Sequence, residues 1–197
     1  AAESSQKVTL RIANWEEYID EGGWDEEEAI DLDDREGTTI LGENSMVEDF
    51  EEWYRETYGV DVEVEYSTFG TNEDLYNQLT LGNSFDLVCP SEYMFMKLIA
   101  ENRLQPLSEG FFDEQDKNNF YIRGVSDYIR NIFDTNTING EPWSKYAAGY
   151  MWGTTGIVYN PDVISKEEAS HWAVLADPKY KGQVTIKDNV RDSYFAA

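Results

Sequence analysis

Cysteine and histidine occur once each in the 197 residues, as Cys89 and His171. A lone cysteine forms no intramolecular disulfide and no CxxC metal or redox pair. Cys89 ends the short apolar run in DLVCP, which suits a buried, inert thiol. His171 lies in a helical stretch, SHWAVL, where a surface position is more natural than a catalytic one. No HExxH, P-loop, GxGxxG, GxSxG or CxxC pattern is present, so neither a cofactor nor a metal is expected. The D-x-D-x-D-G-x5-E spacing of a calcium loop is missing too. No apolar run reaches the roughly 20 residues of a membrane-crossing helix. Basic residues are scarce, 15 against 40 acidic ones, for a net charge of −25. Such a chain repels phosphate backbones and anionic membrane surfaces, which excludes nucleic acid as a partner. The charge either steers cations inward or simply keeps the protein soluble.

What is present is a globular composition, 41% apolar and 14% aromatic. VTLRIANW (Val8 to Trp15) alternates and reads as a strand. An acidic stretch runs from Glu16 to about Glu43 and reads as a solvated surface insertion, about residues 19–44, with at most a short helix. Met46 to Tyr58 has helical periodicity, with Asn44 or Ser45 as cap and Gly59 as stop. Val60 to Tyr66 is a strand by its alternation. Asn72 is placed to cap a second helix ending at Gly82. Phe85 to Cys89 is a short buried strand, and Ser91 is placed to cap a third helix to about Asn102. The order β-α-β-α-β-α predicts an α/β fold: a parallel sheet with helices on both faces. Further on, Ile122 to Phe133 reads as helical, TNTINGEP as a turn, and GYMWGTTGIVYNPDV as an interrupted strand. Lys166 to Leu175 reads as a helix, Gln183 to Ile186 as a strand, and Asn189 to Ala197 as a helix start.

In open parallel sheets, ligands bind beyond the carboxyl ends of the strands. That rule selects Trp15, Glu16, Glu17 and Tyr18 after the first strand, and Ser91, Glu92 and Tyr93 after the third. It also selects Asp188, Asn189, Arg191 and Asp192 after the late strand. Aromatic rings beside carboxylates suit a flexible organic polycation. Ring faces attract ammonium groups, at about 0.5–2 kcal/mol each, and carboxylates accept charge-assisted hydrogen bonds. The plainer alternative is that these aromatics fill the core. Paired carboxylates also serve glycosidases, which need them roughly 5–9.5 Å apart across a cleft.

The motifs themselves resemble a known family. NWEEY (Asn14 to Tyr18) resembles the N-W-x-E-Y signature of bacterial spermidine/putrescine-binding proteins of polyamine ABC transporters. YSTFGTNEDLYNQL, DLVCPSEY, YMWGTTGIVYN and HWAVLADPKYKGQVTIKDNVRDSYFAA are similar to four further segments of that family, in the same order. The resemblance implies a type II periplasmic-binding fold, in which residues 1–155 form a first lobe and residues 156–197 a truncated part of a second. It implies ligand positions at Trp15, Tyr18, Ser91 and Tyr93 in the first lobe, and at Asn189 and Asp192 in the second. The family carries carboxylates at both of these last positions. Here Asn189 replaces one and Asp192 shortens the other, with Asp188 adjacent, and Glu16 stands where the family has threonine.

The implied activity is capture of a polyamine outside the cell, without catalysis, for delivery to an ABC transporter permease. The implied location is the extracellular face of the membrane or the periplasm. The small, polar start AAESSQ suits a mature N-terminus or a peripheral attachment through a lipid anchor. A binding protein for another organic cation or small organic acid remains an alternative, as does a carboxylate-based enzyme. An adhesive surface protein would show repeats, and none is found.

Overall fold

The alternation at Val8 to Trp15 is realised in the computed structural model as strand β1 (Lys7–Trp15), the centre of a parallel sheet. The structure describes residues 7–25, 29–31, 39–186 and 189–196. The chain divides into two units, Ala1–Tyr150 and Met151–Ala197.

In the first unit, β1 is followed by the two short strands β2 (Ile30–Asp31) and β3 (Thr39–Ile40), which pair antiparallel within the acidic insertion. Among the described residues of the insertion, this two-residue pairing is the regular structure found where a solvated loop with at most a short helix was expected. Gly23 N donates to Glu43 O at 3.1 Å and Trp24 N to Gly42 O at 3.0 Å, which ties its two limbs together. Trp24 Nε1 donates to Asp20 Oδ1 at 2.8 Å. Most of the WDEEEAIDLDDREG run lies outside the described residues.

Helix α1 (Met46–Tyr58) begins at a capping box. Ser45 Oγ accepts from Glu48 N, and Glu48 Oε2 accepts from Ser45 N at 2.8 Å. Of the two expected caps, Ser45 is the one used; such caps contribute about 1 kcal/mol. Gly59 closes the helix at φ 68°, donating its N–H to Arg55 O. Strand β4 (Asp61–Phe69) then pairs with β1 along its whole length, from Lys7–Asp61 to Trp15–Phe69. On this edge strand, Val64 N donates to Glu51 Oε1 of α1 at 2.7 Å, so a helix side chain satisfies an edge group.

Helix α2 (Asn72–Thr80) is capped by Thr71 and not by Asn72: Thr71 Oγ1 accepts from Asp74 N at 3.1 Å. Strand β5 (Leu87–Val88) joins the other side of β1, giving the order β4-β1-β5. It is shorter than its apolar run because it meets β1 only at Ile12 and Ala13. Helix α3 (Glu92–Ala100) buries Met94, Phe95, Leu98 and Ile99. Ala13, Phe69 and Leu75 form the core between sheet and α2, with Trp15, Leu79, Phe85 and Val88 half-buried around it.

The helix expected at Ile122 to Phe133 is two helices, α4 (Phe120–Gly124) and α5 (Asp127–Thr135). Ser126 divides them, because its extended backbone and its side chain cap α5 by accepting from Ile129 N. The TNTINGEP turn is a hairpin of β6 (Thr137–Ile138) and β7 (Glu141–Pro142). Asn139 and Gly140, both at positive φ (55° and 82°), make its two-residue loop.

The strands expected from the GYMWGTTGIVYNPDV pattern, which begins at Gly149 in the first unit, and from Gln183–Ile186 in the second are irregular chain; no partner strand pairs with them among the described residues. The helix expected at Lys166 to Leu175 is two 3-10 turns, Glu168–Ser170 and Trp172–Ala176, separated by His171 in extended conformation. Helix α6 (Val190–Ala196) follows Asn189 as expected.

Candidate ligand-binding site

Parallel strands direct their carboxyl ends to one edge of the sheet, and there the chain turns into α2 and α3 and into the acidic insertion. At the end of β1, Trp15 stands opposite Phe69 in the strand register. Their ring centroids are 4.9 Å apart with the planes tilted by 55°. The chain then reverses through Glu17, whose φ of 60° is the left-handed region that a β-carbon disfavours. This turn returns Tyr18 to within 6.2 Å of the Trp15 ring. Tyr150 continues the row, with its ring 6.4 Å from Tyr18 and its Oη donating to Tyr18 O at 3.0 Å. Phe69, Trp15, Tyr18 and Tyr150 thus form a connected run of rings, with Tyr18 and Tyr150 exposed to solvent. The Glu16 carboxylate lies beside Gly70, where a β-carbon would come 3.9 Å from Oε1.

Asn14, buried in β1, supports this edge from below: its Oδ1 accepts from Trp15 N at 2.8 Å. Partial burial pushes the phenols of Tyr66 and Tyr150 above their ordinary range, so both are neutral hydroxyls at physiological pH. Burial also pushes the Cys89 thiol up, which keeps it neutral and a poor nucleophile.

Ser91 and Tyr93 come together through Asn72, whose place in the sequence predicts a helix cap. Asn72 Nδ2 donates to Ser91 Oγ at 3.1 Å and to Tyr93 Oη at 2.7 Å, and Asn72 Oδ1 accepts from Ser91 N at 2.9 Å. A signal for this was available in GTNED, where two cap-type residues adjoin and a helix needs only one. Tyr150 was likewise visible only as part of the YMWG motif.

In the second unit, Asn189 caps α6: its Oδ1 accepts from Arg191 N at 3.0 Å. Asp192 lies within α6, and Asp188 falls outside the described residues. Among the described residues, no group of three or more His, Cys, Asp or Glu side chains is placed to hold a metal ion.

A profile of the bacterial extracellular solute-binding proteins matches residues 40–185. The chain belongs to that family. This solute-binding protein is similar to the spermidine/putrescine-binding periplasmic protein of Escherichia coli K12, with 27% identity over 98% of this chain and 44% of the relative. It is 28% identical to the putrescine-binding periplasmic protein PotF of the same organism, over 82% of this chain and 33% of the relative. Among solved structures, the spermidine/putrescine ABC transporter substrate-binding protein of Streptococcus pneumoniae superposes with a TM-score of 0.54 at 26% identity. That match covers 88% of this chain and 41% of the other. The solute-binding chain therefore spans less than half the length of these relatives. Its parallel sheet and helices are part of a type II periplasmic-binding fold.

Proposed function

We propose that this solute-binding protein captures a polyamine, spermidine or putrescine, outside the cytoplasm and delivers it to the permease of an ABC importer. The observation that carries the reading is the run of rings Trp15–Tyr18–Tyr150 at the carboxyl edge of the sheet, where the Glu16 carboxylate follows Trp15 in the chain and lies beside Gly70. Ring faces attract ammonium groups and their apolar surface packs methylene segments, so alternating charge and hydrocarbon along one ligand are both met. Ser91 and Tyr93 supply hydroxyls for the same ligand, and the similar proteins are named for spermidine and putrescine. The ligand positions implied in the second unit are Asn189, Asp192 and Asp188. Attachment at the membrane surface, through a lipid anchor, belongs to the same reading, and no helix among the described residues is long and apolar enough to cross a membrane.

A panel of polyamines, other organic cations, organic acids, sugars and amino acids in a thermal-shift assay tests this function. A ligand selective for the native state raises stability as RT ln(1 + [L]/Kd). Spermidine and putrescine should shift the transition, and sugars and amino acids should not. The neutral Asn189, in place of a carboxylate, favours as a second reading an organic cation with fewer ammonium groups. Stabilisation by a monoamine, without a shift by spermidine, would establish that alternative.

A further inference from the structure

We propose that Asn72 is the positioning residue of the hydroxyl wall, holding Ser91 and Tyr93 in the conformation that receives the ligand. The proposal rests on the reading of these two side chains as ligand groups.

Asn72 is only 2% exposed, and a buried amide is costly unless its hydrogen bonds are made. Here one side chain makes three, to Ser91 Oγ, Tyr93 Oη and Ser91 N. None of them serves α2. That helix takes its cap from Thr71, one residue earlier. Ser91 is diverted in the same way. It occupies the N-cap position of α3 with extended backbone, yet its side chain makes no cap hydrogen bond and is held by Asn72 instead. Two residues with cap chemistry therefore give up capping for a bond across 19 positions of sequence.

The directions of these bonds are fixed. An amide nitrogen only donates, so both hydroxyl oxygens accept from Asn72 and their protons point away from it. The bonds also lock Ser91 χ1 and the two Tyr93 torsions, removing freedom that ligand binding would otherwise have to remove. Because Asn72 follows Gly70 and Thr71 at the end of β4, the lock ties the wall after β5 to the strand that pairs with Trp15.

The test is spermidine titration calorimetry on the protein as its gene encodes it, in two backgrounds. Asn72→Ala should weaken binding about tenfold in the wild-type background, the scale of one or two lost hydrogen bonds. In the Ser91→Ala/Tyr93→Phe background, where the hydroxyls are already gone, the same change should cost less than about twofold. An equal loss in both backgrounds, or no loss in either, overturns the proposal. Asn72→Asp is isosteric, still accepts from Ser91 N and cannot donate, so it gives the same comparison if the alanine variant does not fold. If the wild type binds no polyamine, the ligand reading fails, and the 13Cζ chemical shift of Tyr93 at neutral pH decides the positioning. Loss of the Asn72 donor should move that shift toward the value of a solvent-exposed tyrosine, and an unchanged shift overturns the proposal.

Discussion

Leu75→Ala should cost the first unit about 3 kcal/mol. Leu75 is 0% exposed and is the side chain by which α2 closes on Ala13 and Phe69. Truncation removes three carbons, worth about 2 kcal/mol of transfer at ~0.8 kcal/mol each. The remainder is the cavity, kept small because Trp15, Leu79, Phe85 and Val88 are only half-buried and free to relax inward. For a unit of this size the loss corresponds to a fall in Tm of roughly 6–12 °C. Urea unfolding followed by far-UV circular dichroism measures it, with m unchanged. Leu81→Ala is the control, since Leu81 at the end of the same helix is 85% exposed and should cost under about 0.5 kcal/mol. If Leu75→Ala costs no more than Leu81→Ala, α2 does not pack on this sheet, and the placement of Asn72 falls with it.

Three further outcomes follow from the same structure. Glu17→Gly should stabilise the first unit by up to about 1 kcal/mol, because glycine accepts positive φ without strain; unchanged or lower stability in chemical denaturation would show that the turn is unstrained. In the second unit, the Glu168 carboxyl is held at about 2, below its ordinary 4.5, first by Lys179 at 2.6 Å and then by Ser165. A depressed carboxyl stabilises above its unfolded value and loses that contribution as pH falls from 4.5 toward 2. Glu168→Gln should therefore flatten this acid limb when hydrogen exchange at Lys179 and Tyr180 is followed. Finally, replacing Asp20, Glu21 and Asp25 by their amides should slow spermidine association in stopped-flow at low ionic strength, with the difference vanishing in high salt. Equal rates at low salt would mean that the insertion does not steer the ligand.

What the sequence made legible was local chemistry. The bounds of α1 could be read because its capping box and its closing glycine lie within a few residues of the helix ends. β1 and β4 could be read from alternation, and their carboxyl ends then pointed to Trp15, Tyr18, Ser91 and Tyr93. The role of Asn72 was hidden because its partners lie 19 and 21 positions away and its local setting imitates a cap. Tyr150 reaches Tyr18 across 132 positions, which no periodicity encodes. The apolar spacing after Tyr150 imitates a strand, but a strand exists only when another one pairs with it. Ser126 divided α4 from α5 because an N-cap side chain outweighed the continuing apolar period.

In the proposed function, a polyamine is received by the rings at the carboxyl edge of β1, with Glu16 following Trp15 in the chain. Titration calorimetry of the protein as its gene encodes it, with spermidine and with a neutral sugar, in the wild type and in Trp15→Ala, tests it most directly. Spermidine binding should be saturable and weakened at least about tenfold by loss of the Trp15 ring, and the sugar should give no heat. Sugar binding without spermidine binding, or spermidine affinity indifferent to Trp15, would contradict it.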